Sequence, residues 1–230
     1  MPQLFFASEG SPLSGPEDAI RLLASQAAPG KHKDAAYQTA HSWFDAQDLP
    51  AAVRATLESD PTYAGARLLK VFFEKPSEAN ASGAGHTNVL AVVEVRSGLA
   101  IVGVVGKLNE PFGDYVSEWN DGSPGRATRL AASIKQLGMP ADIAAGLRYQ
   151  LIHRTVSILL EAQTIGARKA VLLIQSFGSD HSPTGFADFQ MFGAVLGAPI
   201  TDTGILSPAV ELDGIELRLG WSVCSPRRED

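Results

Sequence analysis

The stretch TNVLAVVEVRSGLAIVGVVGKL, residues 87–108, decides the fold. β-Branched residues crowd both halves, and Ser97-Gly98 between them is a tight-turn pair. A two-residue turn there predicts strands over 87–96 and 99–108, with Arg96 facing Leu99, Leu90 facing Val105, and Asn88 facing Lys107. Strand side chains alternate between faces. One face then carries Val89, Ala91, Val93, Val95, Ala100, Val102, Val104 and Gly106, which is wholly apolar and must be core. The other carries Leu90, Val92, Ile101 and Val105 in its middle, with Glu94 and Arg96 at the turn and Asn88 and Lys107 at the open end. A slip of one residue would exchange the two faces, so the assignment depends on the turn being this short.

Outward from the hairpin, residues 68–74 (LLKVFFE) read as a preceding strand ended by Pro76, and 76–85 (PSEANASGAG) as a loop. Upstream, Pro16-Glu17-Asp18 starts a helix, with proline and two acids in the first turn. Tyr37, Ala40, Trp43 and Phe44 recur at helical spacing over 34–46, and Pro50 opens a third short helix. Downstream, helices are expected near 114–120 and 125–137, a long one over 142–165, and another over 186–196. The run KAVLLIQSF (169–177) reads as a strand buried on both faces, and 215–223 as a last strand. The fold class is therefore α/β: a mixed sheet with a central antiparallel hairpin flanked by helices. Residues 1–65 form a helical N-terminal extension packed on a 66–226 core, a single domain overall, and 227–230 read as a frayed tail.

Composition excludes several classes. The 230 residues hold one cysteine, so neither a disulfide framework nor a cysteine zinc site is available within one chain. No apolar run reaches the roughly 18–20 residues of a membrane span, and the start MPQLFFASEG lacks the features of a signal peptide. A cytoplasmic protein without membrane association is expected. The five histidines include no pair at metal-ligand spacing. Net charge is −6, unevenly spread: residues 1–65 carry 4 basic and 8 acidic groups, 66–108 carry 5 and 3, and 109–230 carry 10 and 14. An acidic chain with no broad basic patch is a poor nonspecific nucleic-acid binder, because phosphate neutralisation drives that affinity.

A lysine at a strand end reads either as a snorkelling edge side chain or as a group that stabilises negative charge beside a metal-bound phosphate. The segment Gly106-Lys107-Leu108-Asn109-Glu110-Pro111-Phe112-Gly113, followed by Glu118-Trp119, Ser123-Pro124-Gly125, RYQLIHR (148–154) and Ser157, resembles a poorly characterised bacterial family with a PD-(D/E)XK nuclease-like (restriction-endonuclease-like) core. The resemblance spans about residues 67–196. That core runs helix, three antiparallel strands, helix, strand. An Asp on its second strand and a Glu two residues before a Lys on the third hold Mg²⁺ or Mn²⁺, and a glutamine on the following helix reaches the strand ends in some relatives.

Carried onto this chain, the resemblance implies Lys107 as the lysine and Gln150 as the glutamine of the catalytic position. The Asp position falls on Asn88 and the Glu position on Val105, so both carboxylates are missing. Mg²⁺ needs hard, mostly anionic oxygen ligands. Asn88 offers only a neutral carbonyl, and Glu110, Glu74 or Glu118 would have to substitute, with Asn88 and Glu110 as the metal pair. On the long helix, Gln150, Arg154, Ser157 and Glu161 form a polar stripe that is either a solvated face or a line of site residues, with Arg154 as a phosphate contact. His153 and the pair Asp180-His181 read as structural or surface groups, and Cys224 as buried and inert.

Three functions fit. The first is a nuclease-fold protein with a degenerate metal site and a binding or regulatory role, with no cofactor assigned. The second is an active Mg²⁺- or Mn²⁺-dependent nuclease with relocated acids. The third is an interaction module or homodimer. Nucleic acid as a partner is disfavoured by the charge, and a homo-oligomer is compatible with the sequence.

Overall fold

In a computed structural model, residues 3–25, 33–76, 86–178 and 183–227 are described. Seven strands form one mixed sheet among these residues: β1 (Phe5–Ala7), β2 (Arg67–Pro76), β3 (His86–Val95), β4 (Gly98–Lys107), β5 (Lys169–Phe177), β6 (Val210–Leu212) and β7 (Ile215–Cys224). Their spatial order is β1-β2-β3-β4-β5-β7-β6. Strands β2, β3 and β4 are an antiparallel meander, and β5 and β7 continue parallel to β4. The parallel connections need crossovers, which helices supply.

Both faces of the sheet are covered, as the near-continuous apolar run of β5 requires. On one side lie α1 (Pro16–Ser25), α2 (Lys33–Ala46) and α3 (Ala51–Glu58), burying Trp43, Phe44, Val53 and Leu57 against Val71, Phe73, Val89, Val93, Val102 and Leu173. On the other lie α4 (Val116–Trp119), α5 (Pro124–Gln136), α6 (Ala141–Ala144), α7 (Tyr149–Ile165) and α8 (Pro183–Leu196). Here Leu151, Ile152, Ile158 and Phe189 meet Leu90, Ile101, Val105, Leu172 and Trp221. The helix boundaries have local causes. Pro124 opens α5, and Gly166, at φ +71°, ends α7 in the left-handed conformation that favours glycine.

Several expectations need correction. The hairpin turn is Arg96-Ser97, not Ser97-Gly98: Gly98 has φ +120° and already pairs with Val95. Leu90 consequently faces Gly103 and Glu94 faces Leu99. Each partner is displaced by two residues, an even step, so both faces keep the residues assigned to them. The cross-strand pairing of Asn88 with Lys107 does not survive; the ladder's last pair is Val89 with Val104.

The long helix is interrupted. Residues 145–148 leave the helix, because the backbone here bonds instead to residues 114–117 at the start of α4: Ser117 N–H to Ala145 O, Val116 N–H to Leu147 O, and Tyr149 N–H to Asp114 O. The N-terminal region contributes more than helices, since Phe5–Ala7 adds a strand parallel to β2. Arg227 is not frayed. The Gln38 side-chain amide bonds both its N–H (2.6 Å) and its C=O (2.8 Å), and its guanidinium reaches Asp45 and His41. The loop at 77–85, the Asp180-His181 pair and residues 228–230 lie outside the described residues. No helix among the described residues is long and apolar enough to cross a membrane.

Candidate functional site

Period-two alternation carries three polar side chains to one corner of the α7-facing side. Phe72, Leu90 and Val105 all pack into the α7-side core. Glu74, Asn88 and Lys107 each lie two residues from one of them, toward the same end of the sheet, and so share their face. Helix α7 begins above this end and presents Gln150 and Arg154, one turn apart.

Lys107 is buried, and its ammonium donates to Pro111 O at 2.9 Å and to Gln150 Oε1 at 3.1 Å, with the Phe112 ring 4.9 Å away. Burial pulls its pKa down to about 8; the nearby Glu110 charge opposes that shift and the Arg154 charge adds to it. The snorkelling reading is excluded, because the head group points inward rather than to water. Asn88 Nδ2 donates to Glu74 Oε1 at 3.0 Å. Glu74 is buried and adopts φ +50°, an unusual backbone for a non-glycine residue.

Arg154 is partly exposed as a residue, but its Nε and Nη1 are shut off from solvent and have no hydrogen-bond partner. Burial lowers its pKa to about 10, against the opposing effect of the Glu74 carboxylate. An unsatisfied buried donor costs about 1–3 kcal/mol, and a strained backbone residue a similar amount. Such costs concentrate at functional sites.

The other predicted residues separate. Glu110 sits at the Lys107 side, where its Oε2 accepts from Leu108 N–H at 3.4 Å and its charge acts on the lysine. Glu118 accepts from Tyr115 N–H at the start of α4 and has a local capping role. Ser157 and Glu161 are buried and Gln150 and Arg154 half-buried, so the polar stripe of α7 is not an open solvated face. His153 is buried, its ring 5.9 Å from Tyr149. Cys224 is buried, with Gln175 and Ser222 as its neighbours.

The donor set does not fit a divalent metal. Glu74 is the one carboxylate against Asn88, and Asn88 turns its amide N–H to it rather than offering only a carbonyl. Lys107 and Arg154 would both repel a cation. Val105 is a core residue. Among the described residues no group of three or more His, Cys, Asp or Glu is placed to hold a metal ion.

A second polar group occupies the opposite face near the same strand ends. Gln175, fully buried on β5, accepts from Trp43 Nε1 (3.1 Å) and donates to Ser42 Oγ (2.8 Å). Gly106 is the close-approach point, since a Cβ there would lie 2.1 Å from Thr39 Oγ1. Sequence reasoning passed over Gln175 because a single polar residue in an apolar strand carries no partner information.

The arrangement defines a mixed α/β protein with a buried, cation-rich corner between the strand ends and α7. Residues 12–226 match the family described as a domain of unknown function (DUF6946), and the chain belongs to that family. No curated protein and no solved structure matches it.

Proposed function

We propose that this is a nuclease-fold protein whose metal site has degenerated, acting by binding rather than by phosphodiester hydrolysis. The element order α3, antiparallel β2-β3-β4, α7, β5 supports this reading, being the order of a restriction-endonuclease-like core. The observation that carries it is the Lys107–Gln150 bond at the end of the third meander strand, with the Arg154 charge acting on that lysine and no carboxylate on that strand. The lysine and glutamine of a nuclease centre remain. The anionic ligands that would activate a metal-bound water do not.

Glu74 is the acid on which a relocated metal centre would have to be built, but it lies beside Arg154, whose charge competes for it. An interaction module without a site leaves two buried cations unexplained, because burying charge without purpose is costly.

Incubation with plasmid and single-stranded DNA in Mg²⁺ or Mn²⁺ at neutral pH is expected to give no cleavage. Metal-dependent cleavage abolished by Lys107→Ala would overturn the proposal.

A further inference from the structure

The mismatch between the donor set and a divalent metal has a positive side. Arg154 brings a permanent positive charge to the corner where Glu74 and Asn88 meet, and two of its nitrogens lack any acceptor. Lys107, close enough for the two charges to act on each other, donates to two neutral oxygens, those of Pro111 and Gln150. Two cations directed at one corner, one of them with unpaired donors, require an acceptor-rich, negatively charged partner. A guanidinium presents several donors in a fixed fork that suits tetrahedral oxyanions. Glu74 offsets one positive charge and Glu110 acts on Lys107, which favours a compact anion over an extended polyanion. The net charge of −6 points the same way.

We propose that Arg154 is the resident cation of this corner, taking the electrostatic place of a divalent metal, so that the site binds a phosphate-class oxyanion without any metal. The proposal rests on the binding reading above. The anion approaches along the partly exposed flank of Arg154 and is held between its guanidinium and the Lys107 ammonium. Gln150 fixes the lysine in position and is a positioning residue.

The test is thermal unfolding with inorganic phosphate, run with and without EDTA. At phosphate about 100-fold above Kd, Tm is expected to rise by about 5 °C, equally in both conditions. Arg154→Gln, its fold checked by circular dichroism, should lose the rise. If that variant does not fold, Lys107→Gln is read in its place, and calorimetric titration of the natural chain with phosphate gives the affinity directly. A 5′-phosphorylated dinucleotide distinguishes the source of the anion: a larger shift than with phosphate assigns it to a nucleic-acid end, and an equal shift to a free phosphate. Absence of any phosphate response, or a response that EDTA removes, would overturn the resident-cation assignment. DNA cleavage in Mn²⁺ would instead overturn the binding-only reading, so the two failures are separable.

Discussion

The two faces of the hairpin's open end make a controlled comparison. Gly106 and Lys107 are neighbours on β4, and each points into a buried polar group. Behind Gly106, Gln175 satisfies both ends of its amide through Trp43 and Ser42, and none of these three residues leaves a buried side-chain atom unpaired. Behind Lys107 the groups are charged, Arg154 has orphaned nitrogens, and Glu74 holds a strained backbone. A neutral, closed network tightens a core. A charged, open one costs stability, and that asymmetry is the reason the proposed site is placed at the Lys107 corner.

Breaking the closed network should give the larger loss. Gln175→Leu strands the Trp43 N–H in the core and removes the donor to the half-buried Ser42 hydroxyl. At about 1–3 kcal/mol for the stranded indole donor and about 1 kcal/mol for the lost Ser42 bond, urea unfolding should show a loss of roughly 3–4 kcal/mol. A loss below about 1 kcal/mol would mean that the network is not closed.

The open corner should respond to pH instead. Folded Lys107 releases its proton at about pH 8, whereas the unfolded lysine does so near ~10.4. Between these values the unfolded chain binds more protons, so this residue's contribution to stability rises with pH. It is constant and unfavourable below the lower value. Relative to Lys107→Met, the natural chain should gain about 3 kcal/mol on going from roughly pH 8 to pH 10.5. A difference in unfolding free energy that stays flat across that range would place the ammonium in water.

The smallest expected effect tests how closely the two faces are fitted. Gly106→Ala would drive its Cβ into Thr39 Oγ1, with an overpacking cost of about 2 kcal/mol. The double variant with Thr39→Ala should recover most of that loss in the same denaturation assay. Equal losses in the single and double variants would put the strain elsewhere.

Much of the fold was legible in residues 87–108. The parity of an alternating apolar pattern assigns each side chain to a face even when the turn is misplaced by one residue. That is why Asn88 and Lys107 were expected on one face although their partners were wrong. The break before α7 was not legible, because the hydrogen bonds that replace helix there come from residues some thirty positions earlier. The same holds for β1, too short to show alternation and formed because the edge of β2 was available. Lys107 and Gln150 were named from the sequence, and the structure joins them. Glu74 was one of three candidate acids, and only packing singled it out.

The sequence by itself determined the five longer strands, the two faces of the hairpin, and the lack of a carboxylate at positions 88 and 105, since these depend on local periodicity and residue chemistry. Only the tertiary structure decided that the α7 stripe is buried at Ser157 and Glu161, that the Glu74 charge acts on Arg154, and that Lys107 turns inward to Gln150. Those facts depend on which helix covers which strand ends, and burial is a property of the assembled layers rather than of any one segment.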